Sequence, residues 1–390
     1  MYNVIVLGTG KIGAAIAKFL HYSGDYNILV GDIDFRALEN LTASLPVNTF
    51  VIDVTDETAL TKKLEGQDCV VSACPYEVNP IIARAAAKAG VSYFDLTEDV
   101  ATTNAVRSIT ETTPGGLIFA PQCGLAPGFI SILAHHLCSG FEKLEEVKMR
   151  VGALPEYPSN MMMYNLTWST KGLINEYSNP CEAIHNGHKI EAIPLEEVEH
   201  FSLDGINYEA FNTSGGLGTL CETLEGQVRN LNYKTVRYPG HQYLMKFLIK
   251  ELGFSDRREL LQEILENAIP ITKQDVILIF CTVTGWKNGY LQQISDVRKI
   301  YPLNLYGETW SAIQLTTSAS VCAVLDMYLK GKITQSGFLK QEEISLDAFL
   351  ANRFGRYYTE KSRNLVAPKM NFESCNSTYS DSSIKLDAVP

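Results

Sequence analysis

What this sequence lacks narrows it first. No run of Lys and Arg breaks the chain, and 33 basic against 44 acidic residues give a net charge of −11. Nucleic acid is not an expected partner, because phosphate backbones demand clustered positive charge. No uninterrupted stretch of about 18 apolar residues is read in it, so no membrane partner is expected either. The opening MYNVIVLGTG carries no basic n-region and reads directly as strand and turn. Nine cysteines include no CxxC pair and follow no regular spacing, which argues against a zinc knuckle or a disulfide framework. They read as reduced thiols of a cytoplasmic protein. His185 and His188 form an HxxH with no carboxylate at ligand spacing, so no metal is expected. No internal repeat of roughly 20–50 residues is found.

What is present is a composition for cores: 46% apolar and 20% charged over 390 residues, enough for about two domains. Short apolar runs at 2–7, 28–30, 50–52, 69–72, 92–95 and 117–120 alternate with helical patterns. Six buried strands separated by helices specify an α/β fold, an N-terminal Rossmann doubly wound parallel sheet over 1–125. From 126 to 310 the pattern changes to longer, alternating strands at 146–151, 164–169 and 201–211, with a hairpin from 276–283 and 290–297 around a 285–289 loop. That half is expected to be a C-terminal α+β domain with a largely antiparallel sheet, serving substrate binding and dimerisation. A helix over 311–329, stopped at Gly331, opens a segment 311–355 that returns to the first domain. A polar tail covers 359–390, and its Ser/Asn-rich composition predicts partial disorder.

Gly8-Thr9-Gly10-Lys11-Ile12-Gly13 is a GxGxxG between a strand and a helix. Gly8 permits the tight turn, Gly10 lets backbone approach a pyrophosphate, and Gly13 lets helix and strand pack closely. Asp32 ends the second strand, where a carboxylate accepts both ribose hydroxyls and repels a 2′-phosphate. NAD is therefore expected as cofactor in preference to NADP, with Ile33 beside the ribose, although Arg36 could reach a phosphate. Asp53, with Val54, ends the third strand and either meets the adenine amino group or caps a helix. Ala73, Cys74 and Pro75 follow the fourth strand and are expected on the nicotinamide side, since ligands lie beyond the carboxyl ends of such strands. Asp95 and Glu98 follow the fifth strand, as site groups or helix caps. Gln122, Cys123 and Gly124 follow the sixth and are assigned to the same cofactor site. His135 and His136 point to different helix faces and read as structural.

GTGKIG, SACPY, YFDLTED and QCGLAPGF, in that order, resemble the saccharopine dehydrogenases. Further on, LTWSTKG at 166–172 and YKTVRYPGH at 233–241 resemble two markers of their substrate domain, and the likeness covers about 1–355. Within the family, GLINEY and NPCE look most like the lysine 6-dehydrogenases. Saccharopine-forming reductases tend to carry GLDPG where this chain has Ala126, and Arg where it has Lys171. A substrate with one carboxylate suits those changes better than saccharopine, which has three.

The resemblance implies oxidation of a C–N bond: lysine, NAD and water give 2-aminoadipate 6-semialdehyde, ammonia and NADH. Such chemistry needs no metal and no nucleophilic Ser or Cys. It needs a neutral amine, so turnover should rise into alkaline conditions. Asp95, Glu98 and His241 are the expected catalytic groups, Lys171 the expected anchor of the substrate α-carboxylate, and Trp168 and Tyr76 the expected walls. A small amino acid is the expected partner, and a homo-oligomer the expected assembly. Saccharopine dehydrogenase activity and a non-catalytic NAD-binding regulator are the alternatives.

Overall fold

The computed structural model describes residues 1–113 and 115–359. Its strands are β1 (Tyr2–Leu7), β2 (Tyr26–Asp32), β3 (Asn48–Val51), β4 (Cys69–Ser72), β5 (Ser92–Asp95) and β6 (Ile118–Ala120), followed by β7 (Lys143–Pro155), β8 (Cys181–His185), β9 (His188–Ala192), β10 (Glu199–Leu203), β11 (Ile206–Asn212) and β12 (Val228–Arg237). Next come β13 (Asp275–Lys287), β14 (Tyr290–Ile300), β15 (Leu303–Leu305), β16 (Glu308–Trp310) and β17 (Gly337–Phe338). The first sheet is parallel in the order β17-β6-β5-β4-β1-β2-β3. Its central strands are apolar on both faces: Val4 to Leu7 and Val70 and Val71 are fully buried, as helices on both sides require. Helix ends follow local chemistry. Asp34, Asp56 and Asp99 cap helix N-termini through their side chains, and Gly24 and Gly90 close helices in the left-handed region.

The second sheet runs β10-β11-β12-β7-β13-β14, with β8 and β9 branching from β12. It is antiparallel except where β12 lies parallel to β7. The expected hairpin is β13–β14, but β13 continues through Gly285 across a bulge, and the turn is Asn288-Gly289 with both φ positive. Two expected strands differ. Residues 201–211 split into the hairpin β10–β11 at Asp204-Gly205, another pair with positive φ. Residues 164–169 make no strand, only one bridge from Leu166 to Ile271, because this segment wraps the cavity described below.

The helix Ala312–Leu329 starts on a capping box between Ser311 and Gln314 and on the buried Asp275 carboxylate, which accepts from the amides of Ala312 and Ile313. It packs on the helix Lys11–Ser23, and β17 then joins β6, so the segment after 311 lies on the first sheet. By length and mean hydropathy this helix could cross a membrane, although Gln314, Asp326 and several Ser and Thr interrupt its apolar run; here 78% of it is buried inside the fold. One continuous core joins Val4 and Phe19 to Phe129, Val147, Ile277 and Val321. The polar tail expected from 359 lies, after its first residue, outside the described residues.

Candidate functional site

The Gly-rich turn is held by contacts that only glycines allow. Gly8 has φ +94°, and a Cβ there would lie 2.8 Å from the Ala73 carbonyl oxygen. A Cβ on Gly13 would lie 2.0 Å from the Gly8 oxygen, so the helix Lys11–Ser23 sits directly on the turn. Gly10 differs: nothing lies within 4 Å of the place its Cβ would take. It is the N-cap of that helix without a side-chain cap, so the first helical N–H groups face open space. Asp32 Oδ2 accepts from the Thr9 amide and hydroxyl, both at 2.6 Å, and Oδ1 accepts from the Asp34 amide at 2.9 Å. The carboxylate is thereby fixed at the tip of β2, half-exposed, beside the turn. Room for a pyrophosphate, free helix N–H groups and an oriented carboxylate fit a dinucleotide.

The adenine end is less defined. Asp53 is exposed and accepts from the Thr55 amide and hydroxyl, on the edge of a shallow groove that includes Phe50, Asp56 and Lys63. The helix cap is Asp56, so the alternative of Asp53 as N-cap is corrected. Ile33 is 67% exposed at the β2 end, whereas Val54 packs half-buried into the core under this face.

From the turn a cavity of about 760 Å³ runs between the two sheets. Gly10, Lys11 and Ile12 form one end with Ala73, Cys74 and Pro75; Gly124 and Ala126 form part of the wall. Tyr76, Trp168, Lys171 and Glu98 also line it, as expected. Ser169 caps the helix Thr170–Ser178, and Gly172 in its first turn leaves room for the Trp168 ring, which a Cβ would meet at 2.6 Å. Lys171 sits at the rim. It is half-exposed and its ammonium is paired with Glu77 from the first domain, which holds its pKa above the ordinary value.

Two groups the sequence reading missed complete the cavity. Glu176, 6% exposed, projects from the same helix, and burial first, then the nearby Glu98, pushes its carboxyl well above the ordinary range. Arg237, 2% exposed, ends β12. Its Nε donates to Tyr177 Oη at 3.0 Å and its Nη1 to the Val236 carbonyl at 2.9 Å, while the Tyr164 and Tyr177 rings flank it. Among the described residues no carboxylate lies within ion-pair distance of it. A buried glutamate among Leu173, Ile174 and Tyr177, and an arginine ending an apolar strand, are the signals that could have found them.

Four expected site groups stand elsewhere. Asp95 is fully buried outside the cavity: Oδ1 accepts from the Thr97 and Gln122 amides and Oδ2 from Tyr93 Oη. It staples the ends of β5 and β6, with burial pushing it up to about 6, so its assignment as a catalytic group is corrected. His241 is also fully buried: Nδ1 meets the Met162 carbonyl at 2.9 Å and Nε2 meets Tyr177 Oη at 3.1 Å. Burial, with Arg237 adding to it, lowers the imidazole to about 3; it is a neutral histidine outside the cavity, so its assignment as a catalytic group is corrected. Gln122, at φ +64°, and Cys123, whose thiol donates to the Ala120 carbonyl, are buried below the cavity wall and do not line it.

Residues 4–118 match the saccharopine dehydrogenase NADP binding domain and residues 124–355 the saccharopine dehydrogenase C-terminal domain. The saccharopine dehydrogenase [NADP(+), L-glutamate-forming] of Saccharomyces cerevisiae is 26% identical over 313 residues, covering 73% of this chain and 68% of that protein. The mitochondrial alpha-aminoadipic semialdehyde synthase of Rattus norvegicus is 23% identical over 300 residues, covering 73% of this chain and 31% of its own length. The chain thus spans about a third of that longer relative. Among solved structures, the apo saccharopine dehydrogenase (L-Glu forming) of Saccharomyces cerevisiae superposes with a TM-score of 0.72 at 17% identity, over 88% of this chain and 94% of that one. The homospermidine synthase of Legionella pneumophila, in complex with NAD, gives 0.64 at 14% identity, over 96% and 95%. These likenesses bear on the fold.

Proposed function

This chain belongs to the saccharopine dehydrogenase family, and within it we propose a pyridine-nucleotide-dependent oxidoreductase that oxidises the terminal C–N bond of a lysine-like amino acid. One observation carries the reading: beside the nucleotide turn, a buried guanidinium, Arg237, shares the cavity with two carboxyls, the half-buried Glu98 and the buried Glu176. Arg237 suits an α-carboxylate, since its planar fork recognises that group and it has no ion-pair partner among the described residues. The two carboxyls suit a distal ammonium. Bound at the Gly-rich turn, the nicotinamide would accept a hydride from the carbon bearing that amine. The protein's part is to hold the amino acid by both ends, to take the ammonium proton and to admit one water.

Saccharopine fits this charge pattern less well. It would bring three carboxylates against two acids, with Lys171 already paired to Glu77 and Lys11 beside the nucleotide turn. Ala126 also removes a polar group from the wall at the position where saccharopine-forming reductases tend to have Asp. The test is NADH absorbance with lysine, cadaverine, other diamines and saccharopine as separate substrates. Lysine should be oxidised best; turnover with saccharopine alone would overturn the reading.

The carboxylate at the tip of β2 favours NAD over NADP. Asp32→Ser removes a charge-assisted hydrogen bond to ribose, worth roughly 1.5–3 kcal/mol, and the repulsion of a 2′-phosphate. NAD affinity should fall roughly ten- to hundredfold relative to NADP, read by titrating protein fluorescence. An unchanged preference would remove Asp32 from the nucleotide site.

The rim position of Lys171 also has a measurable consequence. A half-exposed lysine already paired with Glu77 contributes about 0–1 kcal/mol, so Lys171→Met should lower kcat/KM for lysine no more than about fivefold. A much larger loss, confined to substrates with an α-carboxylate, would return the anchor to Lys171.

A further inference from the structure

We propose that Glu98 and Glu176 work as one proton-holding pair, which takes a proton first from the substrate ammonium and then from the attacking water. The proposal rests on the amine-oxidising reading above and assigns the proton chemistry within it.

The geometry brings the two together from different halves of the fold. Glu98 follows β5, yet its neighbours belong to the second half: a Cβ on Gly172 would lie 3.1 Å from its Oε1, and one on Gly215 would lie 2.4 Å from its carbonyl oxygen. Glu176 stands one helical turn beyond Gly172, and its carbonyl accepts from the Ser214 amide at 3.0 Å. The backbones of both residues therefore meet at the 214–215 turn, the Glu98 carboxyl borders Gly172 one helical turn before Glu176, and both residues line the cavity. Neither is hydrogen-bonded to a side chain among the described residues. Asp95, Asp99 and Glu77 add negative charge around Glu98, while Arg237 opposes it at Glu176. Burial raises Glu98 to about 7 and Glu176 further, and two carboxyls so placed do not both ionise near neutrality. Above the pH at which Glu98 titrates, the pair holds one proton and one negative charge.

The steps balance. The ionised member takes a proton from the ε-ammonium; the nitrogen lone pair so freed forms C=N as the C–H electron pair leaves as hydride, which a nicotinamide bound at the Gly-rich turn would accept. The pair releases that proton to solvent. Its carboxylate next takes a proton from water as the O–C bond forms; its neutral member then protonates nitrogen. As the C–N bond breaks and ammonia leaves, the C=O bond forms and the hydroxyl proton passes to the carboxylate so regenerated, which releases it to solvent.

Glu98→Gln and Glu176→Gln should each lower kcat for lysine on the order of a hundredfold, with NADH binding and melting temperature unchanged. Residues acting as a unit are not additive, so the double variant should fall little below the weaker single one. Wild-type turnover should be lost as pH falls through the second protonation of the pair, and that limb should move or vanish in each variant. A variant that keeps kcat within about threefold, or losses that multiply, would overturn the pair. Infrared titration of the substrate-free protein reads it independently: a protonated carboxyl band should persist above neutrality and disappear in Glu176→Gln. A persistent band in a protein that oxidises no amine would sink the function and leave the pair. Lysine oxidation without that band would sink the pair and leave the function.

Discussion

Arg237→Met is expected to lower kcat/KM for lysine by roughly 30- to 4000-fold while changing the rate with cadaverine little. The guanidinium is 2% exposed and is held from behind by Tyr177 Oη and the Val236 carbonyl. Tyr177 is itself fixed by His241. With Nδ1 assigned as the donor to the Met162 carbonyl, Nε2 accepts from Tyr177 Oη, whose oxygen accepts from Arg237. This chain of hydrogen bonds orients the fork but leaves its charge without a carboxylate. A buried cation in that condition gains most from a ligand that brings the counter-charge. Removing one partner of such a buried charge pair costs about 2–5 kcal/mol, which sets the range at 1.4 kcal/mol per decade. Methionine keeps much of the stem, so packing changes little. Arg237→Lys should fall between, since an ammonium keeps the charge and loses the planar fork. Cadaverine lacks the carboxylate and is the control. Equal losses on both substrates, with an unchanged melting temperature, would take the carboxylate away from Arg237.

The same residues mark where sequence reading succeeds and where it stops. Strands β1, β2, β4, β5 and β6 were legible because parallel strands covered by helices are near-continuous apolar runs, and the glycine turn because its spacing has a steric reason. Strand β3, expected among six buried strands, is an edge strand without a buried residue. Asp204-Gly205 hides as a turn, although its chemistry matches Asn288-Gly289, because the residues on either side alternate like one continuous strand. The expected strand at 164–169 failed because its apolar side chains face a cavity and a helix instead of a sheet neighbour. Titratable groups were the hardest to place. Asp95 and His241 stand at a strand end and a turn, positions shared by catalytic groups and by groups that satisfy backbone amides and carbonyls. Asp95 proves to be held by amides and a tyrosine hydroxyl, and His241 by a carbonyl and a tyrosine. Glu176 and Arg237 went unread for the opposite reason: each sits in an apolar pattern where a single charge passes as an interruption. Burial is the information that separates these cases, and a single sequence does not carry it.

Gly10→Ala and Gly13→Ala are expected to abolish tight dinucleotide binding by different routes, and the difference is measurable. At Gly13 a methyl group would lie 2.0 Å from the Gly8 oxygen, 2.9 Å from its carbonyl carbon and 3.2 Å from the Ala73 Cβ. Backbone fills that space, so the helix Lys11–Ser23 must lift from the turn. It buries Ala15, Ile16, Ala17, Phe19 and Leu20, and forced overpacking of such an interface costs ~1–3 kcal/mol or more. Gly13→Ala should therefore lower the melting temperature as well as nucleotide affinity. At Gly10 the backbone is ordinary, with φ −61°, and a methyl group would meet nothing within 4 Å. The free protein should fold as before. The methyl would instead occupy the approach to the helix N–H groups, where a pyrophosphate must come within hydrogen-bond distance of backbone. Losing two or more charge-assisted hydrogen bonds at ~1.5–3 kcal/mol each predicts at least a hundredfold weaker NADH binding at an unchanged melting temperature. Fluorescence titration with NADH and a thermal melt on both variants provide the comparison. If Gly10→Ala binds NADH like the wild type, the open space above the turn does not receive the pyrophosphate, and the dinucleotide must be placed elsewhere.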